Sequence, residues 1–417
     1  MNYDTIIIGG GLAGLVAGII LQERGQRTAI ITTGQGALHF SSGSLALLSR
    51  DTDGNVIEKP LEHIDSLPGG HPYKKVGAAR TGQHAREAKA LFERAGIAML
   101  GSETANHYYL TPVGLFKPTW LSTVDSAVSP APDGAEWGKT AIVGIKGFLD
   151  FYPGFIADNL SRAGLKCEVG ALTTPELEHL RKNTTEMRAP GIAKIMHGDA
   201  LERFAKAIVA AAPGAETVII PAVVGLDGQA GINELRRLTG KKVICLSTHP
   251  ISVQGVRMQL ALRHYYEKLG GTYLLGDNVT AGYMDGDRLT AIDTANLGHG
   301  SLKAKNFIIA TGSFFSRGLV AEPDRIFEPV FGVDVATEGD RSEWFKENIF
   351  EAQPFVEFGV ITDGDFRVRK DGKTISNLYA VGSILGGCNS LKEGSGAGVA
   401  VVTAMEVANR LADKTAK

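Results

Sequence analysis

The 417-residue chain has only three cysteines, Cys167, Cys245 and Cys388, and they stand far apart. Such a set builds no disulfide framework, no CxxC pair and no four-cysteine iron–sulfur cluster. It fits a reducing compartment, with Cys388 read as a small buried residue rather than a redox centre. Charge of one sign is also scarce. The formal net charge is -2, with no block of like charges. A chain that tracks phosphate backbones needs a basic stripe, so nucleic acid is excluded as a partner. There is no low-complexity tract and no internal repeat, and a hydrophobic share of 44% is too high for disorder. Long unbroken apolar runs are missing too. The most apolar stretch, Thr5 to Leu21, is interrupted by glycines and preceded by Met1-Asn2-Tyr3-Asp4, without a basic flank. Neither a signal peptide nor a transmembrane helix is expected, so membrane attachment has to come through a partner or a surface patch. No metal site is expected.

Glycine is abundant, with 52 residues. The excess points to tight turns and close backbone approaches, as nucleotide-binding folds require. The opening reads as a buried strand Thr5–Ile8, a turn Gly9–Gly11, a helix Leu12–Arg24 ending at Gly25, and a strand Thr28–Thr32. Helical spacing returns over 81–96, 152–162, 199–212, 256–269 and 396–412. Strands are expected at 141–143, 217–221, 242–246, 273–275, 279–284, 289–295, 305–310 and 378–381. This alternation predicts an α/β protein: a Rossmann-like FAD/NAD(P)-binding fold with an inserted second α/β cap or substrate domain. The expected division gives 1–60, 255–320 and 355–417 to the nucleotide-binding domain, and 61–254 and 321–354 to the insert.

Gly9-x-Gly11-x-x-Gly14 is the sharpest motif, because it has the required strand before it and helix after it. Gly9 permits the turn, Gly11 lets a phosphate approach the backbone, and Gly14 lets helix pack on strand. The helix N-terminus adds free N–H groups and a partial positive charge. An adenosine ribose is usually met by Asp or Glu after the second strand, and here Thr32 and Thr33 stand in that place. Their hydroxyls lack the charge-assisted contribution, roughly 1.5–3 kcal/mol. That weakens NAD as the ligand and FAD somewhat, whereas FMN has no adenosine to hold. The loop carrying His39 and then Ser41, Ser42, Gly43 and Ser44 offers hydroxyls and N–H groups for a flavin phosphate or ring edge. Thr311-Gly312 closes a β-rich strand, and Gly382-Ser383 closes another, followed by a helix beginning near Gly396. In a doubly wound sheet these turns lie at one end and can meet on one ligand. Catalytic groups are poorly marked: His39, His249, Arg257 and Arg317 are the candidates, the arginines suiting an anionic substrate as well as a salt bridge.

The segments IIIGGGLAGLVAG from Ile6, TTGQGALHFSSGSLALLS from Thr32, VGIKGFLDFYP from Val143, FIIATGSFFSRGL from Phe307 and NLYAVGSILGGCNSLKEGSGAGVAV from Asn377 span nearly the whole chain. On them the chain resembles the B-subunit family of anaerobic glycerol-3-phosphate dehydrogenase. The resemblance implies an FMN-associated flavoprotein subunit, with FAD the alternative cofactor. Its implied partners are an FAD-bearing catalytic subunit and a membrane-associated iron–sulfur subunit, with glycerol 3-phosphate the substrate of the complex and quinone the acceptor. It places the chain peripherally on the cytoplasmic side of the inner membrane. Two other readings stand beside it. One is a self-sufficient flavin dehydrogenase or reductase of a small anion, and the other is a non-catalytic scaffold with a decayed flavin site.

Overall fold

A computed structural model describes residues 2–183, 187–298 and 300–415. The chain forms two compact units. The first comprises Met1–Ala37, Ala46–Leu91 and Leu262–Lys417, the second Leu38–Leu45 and Phe92–Ala261.

The first unit is built on a sheet of eight strands. In chain order, its elements are β1 (Asn2–Ile8), α1 (Leu12–Glu23), β2 (Thr28–Thr32), α2 (Ala78–Arg94), β3 (Thr272–Leu275), β4 (Val279–Asp285), β5 (Arg288–Thr294), β6 (Leu302–Ile309), β7 (Arg367–Lys370), β8 (Lys373–Ala380) and α3 (Gly396–Thr415). The strand order is β3-β2-β1-β6-β5-β4, with β8 also paired to β6 and β7 to β8. Strands β3, β2, β1, β6 and β8 run parallel, so their carboxyl ends lie at one end of the sheet. The N-terminal part of β6 pairs antiparallel with β5, and its C-terminal part pairs parallel with β8. Ile6–Ile8, Ala29–Ile31 and Phe307–Ile309 are buried on both faces, which is why these strands read as continuous apolar runs. Helix α1 is buried along its whole middle, from Ala13 to Leu21, and packs against α3.

The second unit holds a four-stranded parallel sheet in the order Cys167–Leu172, Thr140–Ile145, Thr217–Pro221, Lys242–Leu246. Helices Pro153–Arg162, Gly198–Ala211 and Ala230–Thr239 connect or flank its strands. Two small antiparallel sheets complete it, one of strands 44–45, 121–123 and 99–100, the other of 116–119, 107–110 and 128–129. The protein is thus an α/β protein with a Rossmann-like unit and an inserted second α/β unit.

The boundaries differ from those expected from sequence. Residues 61–91 belong with the first unit, where Arg80 and His84 of α2 each hold the buried carboxylate of Glu406 on α3 at 2.8 Å. Residues 321–354 also belong there, because the strand Val335–Ala336 pairs antiparallel with Gly359–Val360. Residues 38–45 move the other way, since Ser44 and Leu45 pair with Ser122 and Leu121. These ties join segments distant in sequence, so no local pattern announces them.

Candidate cofactor site

The turn after β1 separates three glycine roles. Gly9 has a φ of 114°, and a Cβ there would lie 2.2 Å from the Ala310 carbonyl oxygen. A Cβ at Gly14 would lie 2.0 Å from the Gly9 carbonyl oxygen. Both residues are glycine because backbone presses on backbone. Gly11 differs: its conformation is extended, and a Cβ there would meet nothing within 4 Å. It is the N-cap of α1 and no side chain caps the helix, which leaves the first N–H groups of α1 without a side-chain acceptor.

The other carboxyl-end turns of the first unit come to the same place. The Thr311 backbone nitrogen is 3.0 Å from where a Gly9 Cβ would sit. Gly312 has a φ of 83°, and a Cβ on it would be 3.6 Å from the Ser383 hydroxyl. Gly382, with a φ of 78°, abuts Ala13 in the first turn of α1, and its N–H donates to Thr403 Oγ1 on α3 at 2.9 Å. After β2, Gly36 folds back so that a Cβ on it would be 2.8 Å from the Gly11 Cα. Gly396 opens α3, and the preceding Ser395 hydroxyl donates to Glu393 Oε2 at 2.9 Å. The Thr311 hydroxyl is buried without a hydrogen-bond partner. An open backbone at Gly11, an uncapped helix N-terminus and an unsatisfied hydroxyl fit the phosphate and polar edge of a flavin nucleotide.

The far side of the turn is less complete. Thr32 spends its hydroxyl on the Gly34 carbonyl at 2.9 Å, and Thr33 is exposed. Asp277 uses Oδ1 to accept the N–H groups of Asn278 and Asn296, at 2.8 and 3.0 Å. Tyr273 of β3 joins the site although nothing local in the sequence singles it out. Its phenol lies 3.4 Å from the Gly10 carbonyl and fills the space beside Gly10 and Thr32, with the Arg263 guanidinium 4.6 Å over its ring.

The remaining candidates fare differently. Ser41, Ser42, Gly43 and Ser44 lie in the second unit and serve its own hydrogen bonds: Ser41 and Ser42 each accept the N–H two residues on at 3.3 Å, and Ser44 bonds Ser122 at 2.9 Å. His39, also in that unit, packs edge-on against Phe40, and burial pushes its imidazole below the ordinary value. His249 donates its backbone N–H to the Asp150 carbonyl at 3.2 Å, and its ring meets Tyr152 edge-on. Arg257 is a correction. It is 5% exposed, bonded at 2.6 Å to Asp125, itself 1% exposed, and at 3.0 Å to the Gly225 carbonyl. A guanidinium so enclosed braces the second unit and is not available to a substrate anion. For Asp125, burial alone raises the carboxyl's pKa, but the charge and hydrogen bond of Arg257, with Gln229 and Thr123, bring it below the usual range. Arg317 sits exposed in a left-handed conformation beyond the Phe314–Ser316 turn.

Among the described residues no group of three or more His, Cys, Asp or Glu side chains is placed to hold a metal. All three cysteines are free, and no helix there is long and apolar enough to cross a membrane.

Residues 4–399 match the FAD binding domain family, so the chain is of the FAD-binding-domain class and its cofactor is a flavin. A likeness in structure extends over 99% of this chain and 100% of a 3-ketosteroid delta1-dehydrogenase from Sterolibacterium denitrificans, at 10% identity and a TM-score of 0.46. In sequence the chain is 40% identical over 416 residues to the anaerobic glycerol-3-phosphate dehydrogenase B-subunit of Yersinia enterocolitica, covering 99% of this chain and 98% of that one. The corresponding B-subunit of Pectobacterium carotovorum is 40% identical over 415 residues, 99% of each. The chain belongs to the B-subunit family of anaerobic glycerol-3-phosphate dehydrogenase.

Proposed function

We propose that this chain is the flavin-carrying relay subunit of a quinone-dependent sn-glycerol-3-phosphate dehydrogenase. Electrons from the oxidation of glycerol 3-phosphate to dihydroxyacetone phosphate would pass through it towards an iron–sulfur subunit and the quinone pool. The observation that carries this reading is the meeting of the Gly9–Gly14, Thr311–Gly312 and Gly382–Ser383 turns around the open backbone at Gly11. Gly11 and the first turn of α1 would hold the phosphate. The Thr311 hydroxyl, Gly312 and Ser383 would border the rest of the nucleotide. A bound flavin supplies the exchange between a two-electron hydride and single electrons, while the protein positions and tunes it. Three separated, free cysteines support placing any iron–sulfur cluster on another chain. Attachment to the cytoplasmic face of the inner membrane then comes through partner subunits.

Two observations bear on which flavin it is. Tyr273 beside Gly10, and the lack of a carboxylate after β2, favour FMN, because this is where an adenosine ribose is normally received. The FAD binding domain match favours the dinucleotide. Chromatography of the acid-released cofactor separates the two.

The relay reading is tested by mixing. A yellow chain that glycerol 3-phosphate does not bleach alone, but that restores quinone reduction when added to its partner subunits, is the expected outcome. Direct bleaching without partners would make it a self-sufficient dehydrogenase. A colourless chain that still restores activity would make it a scaffold.

A further inference from the structure

In the first unit, the loop between Asp340 and Phe358 holds apolar side chains out in water. Phe350 is 94% exposed, Ile349 79% and Phe345 50%. Its backbone is nevertheless tightly braced. The Gln353 side-chain oxygen accepts the Lys346 N–H at 2.9 Å, and its amide nitrogen donates to the carbonyls of Lys346, Asn348 and Glu351 at 3.3, 3.0 and 3.3 Å. The Asn348 side chain accepts the Phe350 N–H at 3.0 Å, and the Phe355 N–H bonds the Trp344 carbonyl at 3.0 Å. Trp344 is buried at the base. The turn is therefore braced by its own hydrogen bonds, and what it displays is a pair of large apolar side chains. Such exposure opposes solubility, and a pre-ordered apolar knob is what an interface hot spot requires.

The surrounding charge narrows the occupant. Between Glu338 and Glu351 there are five carboxylates (Glu338, Asp340, Glu343, Glu347 and Glu351) against two cations (Arg341 and Lys346), a net of -3. Anionic lipid repels such a rim, whereas a protein pocket edged with lysine and arginine complements it. The loop also adjoins the cofactor turns. Phe355 meets the ring of Phe314 at 6.1 Å, and Phe314 lies two residues beyond Gly312.

We propose that Ile349 and Phe350 form the knob by which this chain docks into another member of its complex, in an apolar pocket bordered by basic side chains. The proposal rests on reading the chain as one subunit of a dehydrogenase complex. The full-length tagged chain is co-expressed separately with the FAD-bearing catalytic subunit and with the iron–sulfur subunit. Affinity, flavin content and melting temperature are compared with those of an Ile349→Asp/Phe350→Asp variant. The expected result is co-purification of the wild type with one of these two partners, at least tenfold weaker for the variant, with flavin content and melting unchanged. Equal co-purification of both forms overturns the docking site but leaves the relay reading intact. Failure of the wild type to bind either partner overturns both. Two further results would also overturn it. One is flotation of the wild type, but not the variant, with phosphatidylglycerol/phosphatidylethanolamine vesicles in place of binding to either partner. The other is a wild-type dimer that the variant abolishes.

Discussion

Gly11 and Gly14 stand three residues apart in one motif, yet the structure predicts different failures when each is replaced by valine. At Gly11 the conformation is extended and the space is empty, so Gly11→Val leaves the packing alone. Its cost to the fold is that of a poorer N-cap, about 1 kcal/mol, which lowers the melting temperature by a few degrees. Its cost to the ligand is larger. A branched side chain standing in front of the α1 N-terminus denies a phosphate its backbone donors. Hydrogen bonds to a charged group contribute roughly 1.5–3 kcal/mol each. Losing two raises Kd by about 10²- to 10⁴-fold, at about 1.4 kcal/mol per tenfold. At Gly14 a Cβ would overlap the Gly9 carbonyl at 2.0 Å, and relief requires helix and turn to part by about 1 Å, an overpacking cost of at least roughly 1–3 kcal/mol. The assay is the ratio of flavin to protein absorbance after gel filtration, alongside thermal melting. Gly11→Val is expected to be colourless but folded, and Gly14→Val to be both colourless and markedly less stable. Retention of flavin by Gly11→Val at the wild-type ratio would refute the assignment of the cradle.

Other predictions follow from the rest of the molecule. Asp125→Ala leaves the Arg257 charge buried and unpaired, so denaturant unfolding of the second unit is expected to lose roughly 3–5 kcal/mol; Asp125→Ala with Arg257→Met is expected to recover part of it, and no recovery would contradict the pair's role. His107 is held at about 4 by burial, below its ordinary value near 6.5, so the stability it governs is present above about pH 6.5 and lost as pH falls towards and through 4. His107→Gln is expected to flatten unfolding free energy against pH over that window, and an unchanged slope would count against it. Tyr273→Ala opens the space beside Gly10 and is expected to raise the FAD share of the extracted flavin; an unchanged share would show that the phenol does not select the cofactor.

How far the sequence reaches depends on the range of the interaction. The first βαβ unit is written locally: β2 occupies Thr28–Thr32 as expected, and α1 starts at Leu12 and ends one residue short of the expected Arg24. The strand expected at 305–310 is found at Leu302–Ile309, again because a β-rich apolar run precedes a glycine turn. The helix Ala230–Thr239 falls between the strands expected at 217–221 and 242–246, where no helix is expected from the sequence. Buried Ile232, Leu235 and Thr239 have helical spacing, and left-handed Gly240 ends the helix, so the signal is there in the sequence. Other features are not legible at all. Arg257 finds Asp125 from 132 positions away, and Tyr273 reaches Gly10 only because β3 lies beside β2. The small sheets around 99–129 are made of strands two to four residues long, too short for alternation to show.

The most direct measurement on the central claim is acid extraction of the purified full-length chain, with the released cofactor identified and counted against protein. One yellow, phosphate-bearing flavin per chain, FMN or FAD, is the predicted result. A chain that releases none, even after incubation with excess FMN or FAD, would contradict the claim that the turns around Gly11 form a flavin cradle.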